Sequence, residues 1–152
     1  MALGVTWYMP DKDVHLEARS TFLEQMAAML GGYAAEELIF KEVTTGSSND
    51  LKRVTQLARQ MVTEHGMSAK MGPVIFNSGQ HSIFLGRDLT ERSNYSEQTA
   101  ALIDQEVEKL VRESYQLARE LLSKNKAALE KISAALIQKE NLNRTEFLNL
   151  LK

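Results

Sequence analysis

The chain has 152 residues, 43% of them hydrophobic and 25% charged, which is the composition of a single globular domain covering residues 1–152. Its formal charge of −2, with acids and bases interspersed, argues against nucleic acid or an anionic membrane as a direct partner. The chain lacks cysteine, which excludes disulfides and cysteine-ligated zinc, and no apolar run is long enough to span a bilayer, so we expect a soluble segment.

A short strand is predicted at residues 4–9, GVTWYM, because β-branched and aromatic residues precede Pro10. This strand begins almost at the first residue. Two interpretations are open: an ordinary N-terminal edge strand, or a strand from within a larger domain.

The next segment predicts two helices. Ser20 or Thr21 can cap the first helix, and Gly31 and Gly32 interrupt the pattern before it resumes and continues to Phe40. We expect the two helices to meet at the glycine pair and to pack closely there, because glycine has no side chain. The buried side of the first helix is predicted to consist of Phe22, Leu23, Met26, Ala27, Met29 and Leu30.

Residues 43–66, VTTGSSNDLKRVTQLARQMVTEHG, predict a loop, a third helix and a stop at Gly66. If Ser47 is the N-cap, Asp50 occupies the third helical position. There its carboxylate can bond back to the N–H of the cap and face the positive end of the helix dipole. This capping box is one explanation of Asp50. The apolar side of the helix is predicted to consist of Leu51, Val54, Leu57, Ala58, Met61 and Val62.

The region after Gly66 has a weaker pattern. Residues 71–76, MGPVIF, predict a second short strand, and residues 77–95 predict a loop with a small apolar anchor at Ile83, Phe84 and Leu85.

Helical periodicity returns after Ser96, which is the predicted cap of a long helix. A further helix follows the interruption KNKA, and a last one follows a cap at Asn143 or Thr145. We therefore expect an antiparallel helical pair or bundle in the second half, and a mainly α fold with one or two short strands. The predicted inward-facing positions are Ile103, Val107, Leu110, Leu117 and Leu121, then Leu129, Ile132 and Leu136, and finally Phe147, Leu150 and Leu151.

The histidines do not predict a metal site on their own. His15, His65 and His81 include no pair spaced four apart, as a helical metal pair requires, so we do not expect a complete zinc site from this chain alone. His65 suits the negative end of its helix, and the other two are interpreted as solvated loop residues. The sequence also lacks a nucleophile elbow and a phosphate-binding glycine motif.

Two adjacent acids, Glu36 and Glu37, lie in the helical segment AAEELIF. Neighbouring helical residues point about a third of a turn apart. We therefore expect at most one of them to face inward and the other to be solvated.

Several motifs occur together in a fixed order. LGGYAAEELIF is followed by TTGSSNDLKRVTQLARQMVTEHGMSAKMGPVIF, then by FLGRD and NYSEQTAALIDQEVEKLV, and ALGVTWYMPDKD precedes them all. Together they resemble the peptidase domain of the FtsH family of ATP-dependent zinc metalloproteases, over nearly the whole chain.

The resemblance implies a second explanation of Asp50. In FtsH-like peptidases the aspartate of the T-G-[SA]-[SA]-N-D segment is the third protein ligand of the catalytic zinc. The other two ligands come from an H-E-x-x-H helix, whose glutamate is the general base. Asp50 holds the position of that aspartate. The strand at residues 4–9 resembles one that lines the active-site cleft, which implies main-chain substrate binding at Gly4, Val5 and Thr6; an ordinary edge strand is the alternative.

One motif of the family is missing, because no histidine here begins H-E-x-x-H. In the family that helix lies upstream of the ALG segment. We therefore interpret the chain as the C-terminal part of a peptidase domain. It would lack the general base, the zinc-binding helix, the membrane anchor and the ATPase module that binds ATP and magnesium. We expect the chain alone to be inactive, to bind zinc poorly, and to self-associate through apolar surface that the missing helix would cover.

For the parent protein, the resemblance implies a homohexamer that degrades unfolded and membrane proteins. It would be anchored in the membrane, with its peptidase domain in the bacterial cytoplasm. Two alternatives are open: a non-catalytic helical oligomerisation module in which Asp50 only caps its helix, and a degenerate family member that has lost its zinc helix.

Overall fold

The computed structural model describes residues 16–76 and 95–151. Within these ranges the chain forms six α-helices and no strand, which confirms the mainly α class. The predicted strand at residues 4–9 and the predicted anchor at residues 83–85 lie outside the described residues. The helices are α1 (Arg19–Met29), α2 (Gly31–Phe40), α3 (Ser48–Thr63), α4 (Glu97–Lys124), α5 (Lys126–Lys139) and α6 (Arg144–Leu150), and a turn of 3-10 helix at Thr45–Ser47 precedes α3.

The long helix α4 is the centre of the core, since α1, α2 and α3 all pack against it. Its buried positions recur at three- and four-residue steps, as an amphipathic helix requires. Most of the apolar side chains predicted for the core in α1, α3 and α4 are buried, whereas α5 and α6 bury none completely. The core consists of Phe22, Met26, Ala27, Leu30, Ala34, Val54, Ala58, Met61, Val62, Ile103, Val107, Leu110 and Ala118.

The boundary between α1 and α2 differs from the prediction. The helices meet at Leu30, and the predicted interrupting glycines form the first turn of α2. A Cβ added at Gly31 or Gly32 would meet nothing within 4 Å, so the expected close packing at the glycine pair is wrong. Leu30 itself keeps helical backbone angles and is 2% exposed, so burial of its side chain fixes the junction. The N-cap of α1 is Ala18, not Ser20 or Thr21.

The end of α3 depends on Gly66, as predicted. This residue has φ +59°, which glycine adopts without the steric cost that a Cβ would bring. An added Cβ would also lie 3.3 Å from the Cα of Pro73, so the chain approaches itself closely here. Gly66 therefore allows the segment after α3 to fold back.

The predicted strand at residues 71–76 is wrong, because these residues adopt no strand conformation. Gly72 has φ +76°, and the N–H of Val74 donates to the carbonyl of Gly72 at 2.9 Å, which is a tight turn in place of an extended chain. The N–H of Phe76 then donates to the carbonyl of Thr63 at 2.8 Å. The segment is thus held against the end of α3.

A buried acid ties this segment to α4. Glu106 is 5% exposed, and its carboxylate accepts a hydrogen bond of 2.7 Å from the hydroxyl of Ser68, which is 4% exposed. The same hydroxyl oxygen accepts from the N–H of Met71 at 3.1 Å. Since a buried polar group without a partner costs about 1–3 kcal/mol, this pairing makes the burial of Glu106 tolerable.

The C-terminal helices are capped largely as predicted, but they bury less than predicted. The Ser96 hydroxyl accepts from the N–H of Thr99, and Asn143 forms a complete capping box with Glu146. A bond of 2.7 Å from Lys139 to Glu146 joins α5 to α6 and lowers the pKa of Glu146. The predicted inward positions that are exposed instead are Leu117, Leu121, Leu136, Phe147 and Leu151. Leu117 directly precedes Ala118, the last buried residue of α4, and the other four lie beyond it, where the main core does not continue.

Among the described helices, none is both long enough and apolar enough to cross a membrane.

Ser114 provides a test of how the core is packed. Its side chain is 1% exposed, and its hydroxyl makes no hydrogen bond within the described residues. We expect Ser114→Ala to raise the free energy of unfolding by about 1 kcal/mol, because it removes a buried hydroxyl that has no partner. Chemical denaturation of the purified chain measures this change.

The matched control is Ser133→Ala on α5, whose exposed hydroxyl donates to the Leu129 carbonyl at 2.8 Å. Both substitutions raise helix propensity equally, so their difference isolates the effect of burial. A lower stability for Ser114→Ala than for the control would contradict this account of the core.

Candidate functional site

Asp50 lies where the sequence predicts it, as the third residue of α3 and the acid of its first turn. Its side chain is half-buried, and it takes part in no hydrogen bond or ion pair among the described residues. The positive end of the helix dipole favours a carboxylate at this position. Asp50 is therefore a carboxylate with free acceptor oxygens in the described part of the chain.

The capping explanation of Asp50 is wrong. Ser47 is the N-cap of α3, as predicted, but its side chain makes no capping bond to the first turn. Its hydroxyl instead donates backward to the Thr44 carbonyl at 3.4 Å. Without that bond no capping box with Asp50 exists, because the 3-10 turn gives Ser47 a different backbone conformation, with φ −82° and ψ 0°.

The loop before α3 is held by a side chain from α2. The N–H of Thr44 donates to Glu36 Oε2 at 2.7 Å, and the Thr44 hydroxyl in turn accepts from the N–H of Gly46 at 3.1 Å. A Cβ at Gly46 would lie 3.2 Å from the Thr44 hydroxyl and 3.7 Å from Glu36 Oε1. Glycine therefore lets the loop approach the carboxylate, and Glu36 fixes the chain that leads to Asp50.

The adjacent acid Glu37 points to a different partner. Its carboxylate accepts a hydrogen bond from the hydroxyl of Tyr115 on α4, and the ring of Tyr33 lies edge-on to Tyr115, with the ring centroids 5.8 Å apart. The expectation that one of Glu36 and Glu37 is simply solvated is wrong. Both are half-buried and both accept hydrogen bonds, because α2 lies between α4 on one side and the loop on the other.

The surroundings of Tyr115 favour its neutral form. Burial first, and then the hydrogen bond to Glu37 and the negative charge of Glu37, raise the pKa of Tyr115 to about 12. The phenol therefore remains a donor throughout the ordinary pH range. The pair lies in a groove of about 510 Å³ between α2, α3 and α4, which is also lined by Leu30, Leu51, Val107 and Val111.

His65 is far from Asp50. It follows α3, fifteen positions after Asp50, which corresponds to about 20 Å along the helix axis. Its exposed ring stacks on Phe22, with the centroids 5.6 Å apart. His65 therefore cannot share a metal with Asp50. His15 and His81, and the predicted substrate residues Gly4, Val5 and Thr6, lie outside the described residues.

The residues in the described ranges fit zinc only as a partial ligand set. No group of three or more histidines, cysteines and acids there could hold a metal ion. A catalytic zinc site uses three protein ligands. Asp50 has the chemistry of one such ligand, and the other two would have to come from residues that these ranges do not include.

Tyr115 and the separate partners of Glu36 and Glu37 were not predicted from the sequence. A weak signal for Tyr115 was present, since a tyrosine next to a buried apolar face often finds a hydrogen-bond partner for its hydroxyl. Glu106 also gave a signal, because this acid falls on the apolar side of α4, three residues after Ile103. No local pattern identified the partners, which are 38 and 78 positions away.

Comparison with known proteins identifies the family. The model of peptidase family M41 matches residues 1–150. ATP-dependent zinc metalloprotease FtsH 3 of Symbiobacterium thermophilum is 46% identical over 151 residues, and the match covers 99% of this chain and 24% of that protein.

Other relatives give the same result. ATP-dependent zinc metalloprotease FtsH of Pseudothermotoga lettingae is 46% identical over 99% of this chain and 24% of its own length. The protein of the same name from Thermotoga maritima is 40% identical over 99% of this chain and 25% of its own length. The chain thus spans about a quarter of the length of these relatives. Since the family model covers nearly all of its residues, this chain belongs to peptidase family M41, the family of the FtsH metalloproteases.

Proposed function

We propose that this chain is the part of an ATP-dependent zinc metalloendopeptidase that supplies the carboxylate ligand of the catalytic zinc, and that Asp50 is this ligand. The observation that carries the proposal is the state of Asp50 itself. It is a half-buried carboxylate whose oxygens have no partner within residues 16–76 and 95–151, and it follows a loop that Glu36 holds from α2. A carboxylate without a partner among the described residues has the donor atoms that a zinc ligand needs.

The chain contributes position and charge to this site. Asp50 lies in the first turn of α3, where the positive end of the helix dipole interacts favourably with an acidic side chain. Zinc held by three protein ligands supplies Lewis-acid activation of water for attack on a peptide carbonyl. The two histidines and the general base belong to an H-E-x-x-H sequence, which these 152 residues do not contain. We therefore assign no catalytic step to the chain's own residues beyond ligand positioning.

The larger context of the proposal comes from the family. The relatives are named ATP-dependent zinc metalloproteases, which supports protein substrates, zinc and ATP for the complete protein. The resemblance adds magnesium as the ion that accompanies ATP. The resemblance further supports a membrane-anchored homohexamer whose peptidase domains face the bacterial cytoplasm. Substrate contact at Gly4, Val5 and Thr6 is part of the same proposal.

A second candidate function, oligomerisation, has an observation of its own. The C-terminal apolar set, which consists of exposed side chains on the end of α4, on α5 and around α6, does not belong to the core. Exposed apolar side chains in such number favour contact with another protein surface. The members of the set are Leu117, Leu121, Leu136, Ile137, Phe147, Leu148 and Leu151.

The first prediction concerns zinc. In the full-length product of the gene that encodes this chain, Asp50→Asn should raise the zinc dissociation constant by more than about a hundredfold, because loss of an outer-shell partner alone costs roughly ten- to a hundredfold. Competition with a chromogenic chelator measures this constant. Glu42→Gln, at an exposed acid just before the same loop, is the control and should leave zinc binding unchanged. Equal zinc affinity in Asp50→Asn and the unmodified protein would disprove the assignment.

The second prediction concerns the chain by itself. The purified 152-residue chain should show no hydrolysis of casein with added zinc, because it has neither the histidine ligands nor the general base. Release of labelled peptides is the measurement. If the chain does hydrolyse casein, and if both a chelator and Asp50→Ala abolish that activity, the remaining site residues lie within the chain and the proposal is wrong.

The third prediction concerns self-association of the chain. Sedimentation velocity should show an average mass that rises with concentration, because apolar side chains are exposed. Ile137→Lys, at a residue 83% exposed in the C-terminal apolar set, should lower the association, whereas Leu16→Lys, at a residue 91% exposed before α1, should not. A monomer at every concentration would contradict this candidate function.

A further inference from the structure

We propose that Tyr115 and Glu37 are positioning residues for Asp50: their hydrogen bond fixes α2 against α4, and α2 then holds the loop that presents the carboxylate. This inference rests on the proposed function, since positioning matters only if Asp50 binds a metal. Neither residue is proposed to touch zinc or substrate.

Helix α2 completely buries fewer side chains than α3 does. Ala34 is the only residue of α2 that is fully buried, whereas α3 buries five residues. Burying a small side chain contributes little, because the stabilisation scales with the apolar area removed from water. The groove of about 510 Å³ beside Tyr33, Glu37 and Tyr115 also shows that side chains do not fill the space between α2 and α4 here. The hydrogen bond from Tyr115 to Glu37 spans this space and joins α2 directly to α4.

The hydrogen bond from Tyr115 to Glu37 has a charged acceptor and a donor that stays protonated. Hydrogen bonds to a carboxylate are roughly twice as strong as those between neutral groups. Tyr115 remains protonated throughout the ordinary pH range because its pKa is about 12. Arg119 is the charged residue on α4 that acts on the phenol in the opposite sense, and its effect is smaller than those of burial and Glu37.

A series of hydrogen bonds connects α2 to Ser47, three residues before Asp50. Glu36, the neighbour of Glu37, accepts from the N–H of Thr44 at 2.7 Å. Thr44 then bonds to Gly46 and to Ser47, the N-cap from which α3 begins. Because Ser47 makes no capping bond of its own to α3, the entry to the helix depends on this external support. A shift of α2 would move the Glu36 carboxylate away from Thr44 and loosen the loop before Asp50.

Tyr33 provides a matched control. It lies on the same helix as Glu37, lines the same groove and contacts Tyr115 edge-on, but its hydroxyl makes no hydrogen bond within the described residues. Tyr33→Phe and Tyr115→Phe remove the same atom from neighbouring rings. Only the second removes the bond to α2.

The experiment measures zinc binding in the full-length product of the gene. We expect Tyr115→Phe and Glu37→Ala each to raise the zinc dissociation constant about tenfold, as loss of an outer-shell partner does. Tyr33→Phe should leave it within about twofold of the unmodified protein, since no partner of the ligand is lost. Glu37→Gln should restore most of the affinity lost in Glu37→Ala, because its amide oxygen still accepts from the phenol. A merely structural role would lower the unfolding temperature without changing the zinc affinity of the folded protein.

The outcomes separate this inference from the proposed function. If Asp50→Asn weakens zinc binding but Tyr115→Phe and Glu37→Ala do not, the positioning role is disproved and the ligand assignment stands. If Asp50→Asn has no effect, the proposed function fails, and the positioning role fails with it.

A second measurement does not depend on the folding of any variant. In the unmodified 152-residue chain, the N–H of Thr44 should exchange with deuterium at least about tenfold more slowly than in an unstructured peptide. The N–H of Lys41, which donates to the backbone carbonyl of Glu37 at the end of α2, should be slowed in the same way. Exchange of the Thr44 N–H at the unstructured rate would overturn the inference, because the loop would then not be held by α2.

Discussion

The hydrogen bond from the Thr44 N–H to Glu36 is the interaction on which the candidate site depends. A helix commonly fixes its own N-terminus with the side chain of its cap residue. In α3 the cap is Ser47, and its side chain turns back to Thr44. The N-terminus is therefore fixed from outside, by a carboxylate on α2, and the oxygens of Asp50 have no partner in the part of the chain that the structure describes.

The second constraint is the central position of α4. Because α1, α2 and α3 all pack on it, any residue of α4 that bonds to one of them also sets the place of that helix. Tyr115 does so for α2 and Glu106 does so for the segment after α3. Polar contacts thus tie to α4 two parts in which few side chains are completely buried, namely a helix with one fully buried alanine and a segment without regular structure.

Sequence periodicity predicted α3 and α4 well because both helices carry a wide apolar side. The caps Ser96 and Asn143 were predicted because serine and asparagine side chains favour the N-cap position. The same reasoning failed at the glycine pair, where a fully packed leucine determines the junction, and at residues 71–76, where Gly72 and Pro73 favour a turn over an extended chain. It failed again beyond Ala118, because an apolar pattern in a sequence does not show whether another element covers it.

The sequence by itself determined the helical class, the position of Asp50 in the first turn of its helix, and, through its ordered motifs, the family to which the chain belongs. These follow from short-range rules or from a long shared order of residues. Tertiary structure alone decided that the cap of α3 is not a capping box, that Glu36 and Glu37 bind different partners, and that Glu106 pairs with Ser68. For the cap the reason is the 3-10 turn before α3, in which the Ser47 hydroxyl donates to the Thr44 carbonyl. For the acids the reason is distance along the chain: their contacts join residues from 8 to 78 positions apart, and the packing of helices on α4 brings the two most distant pairs within hydrogen-bonding reach.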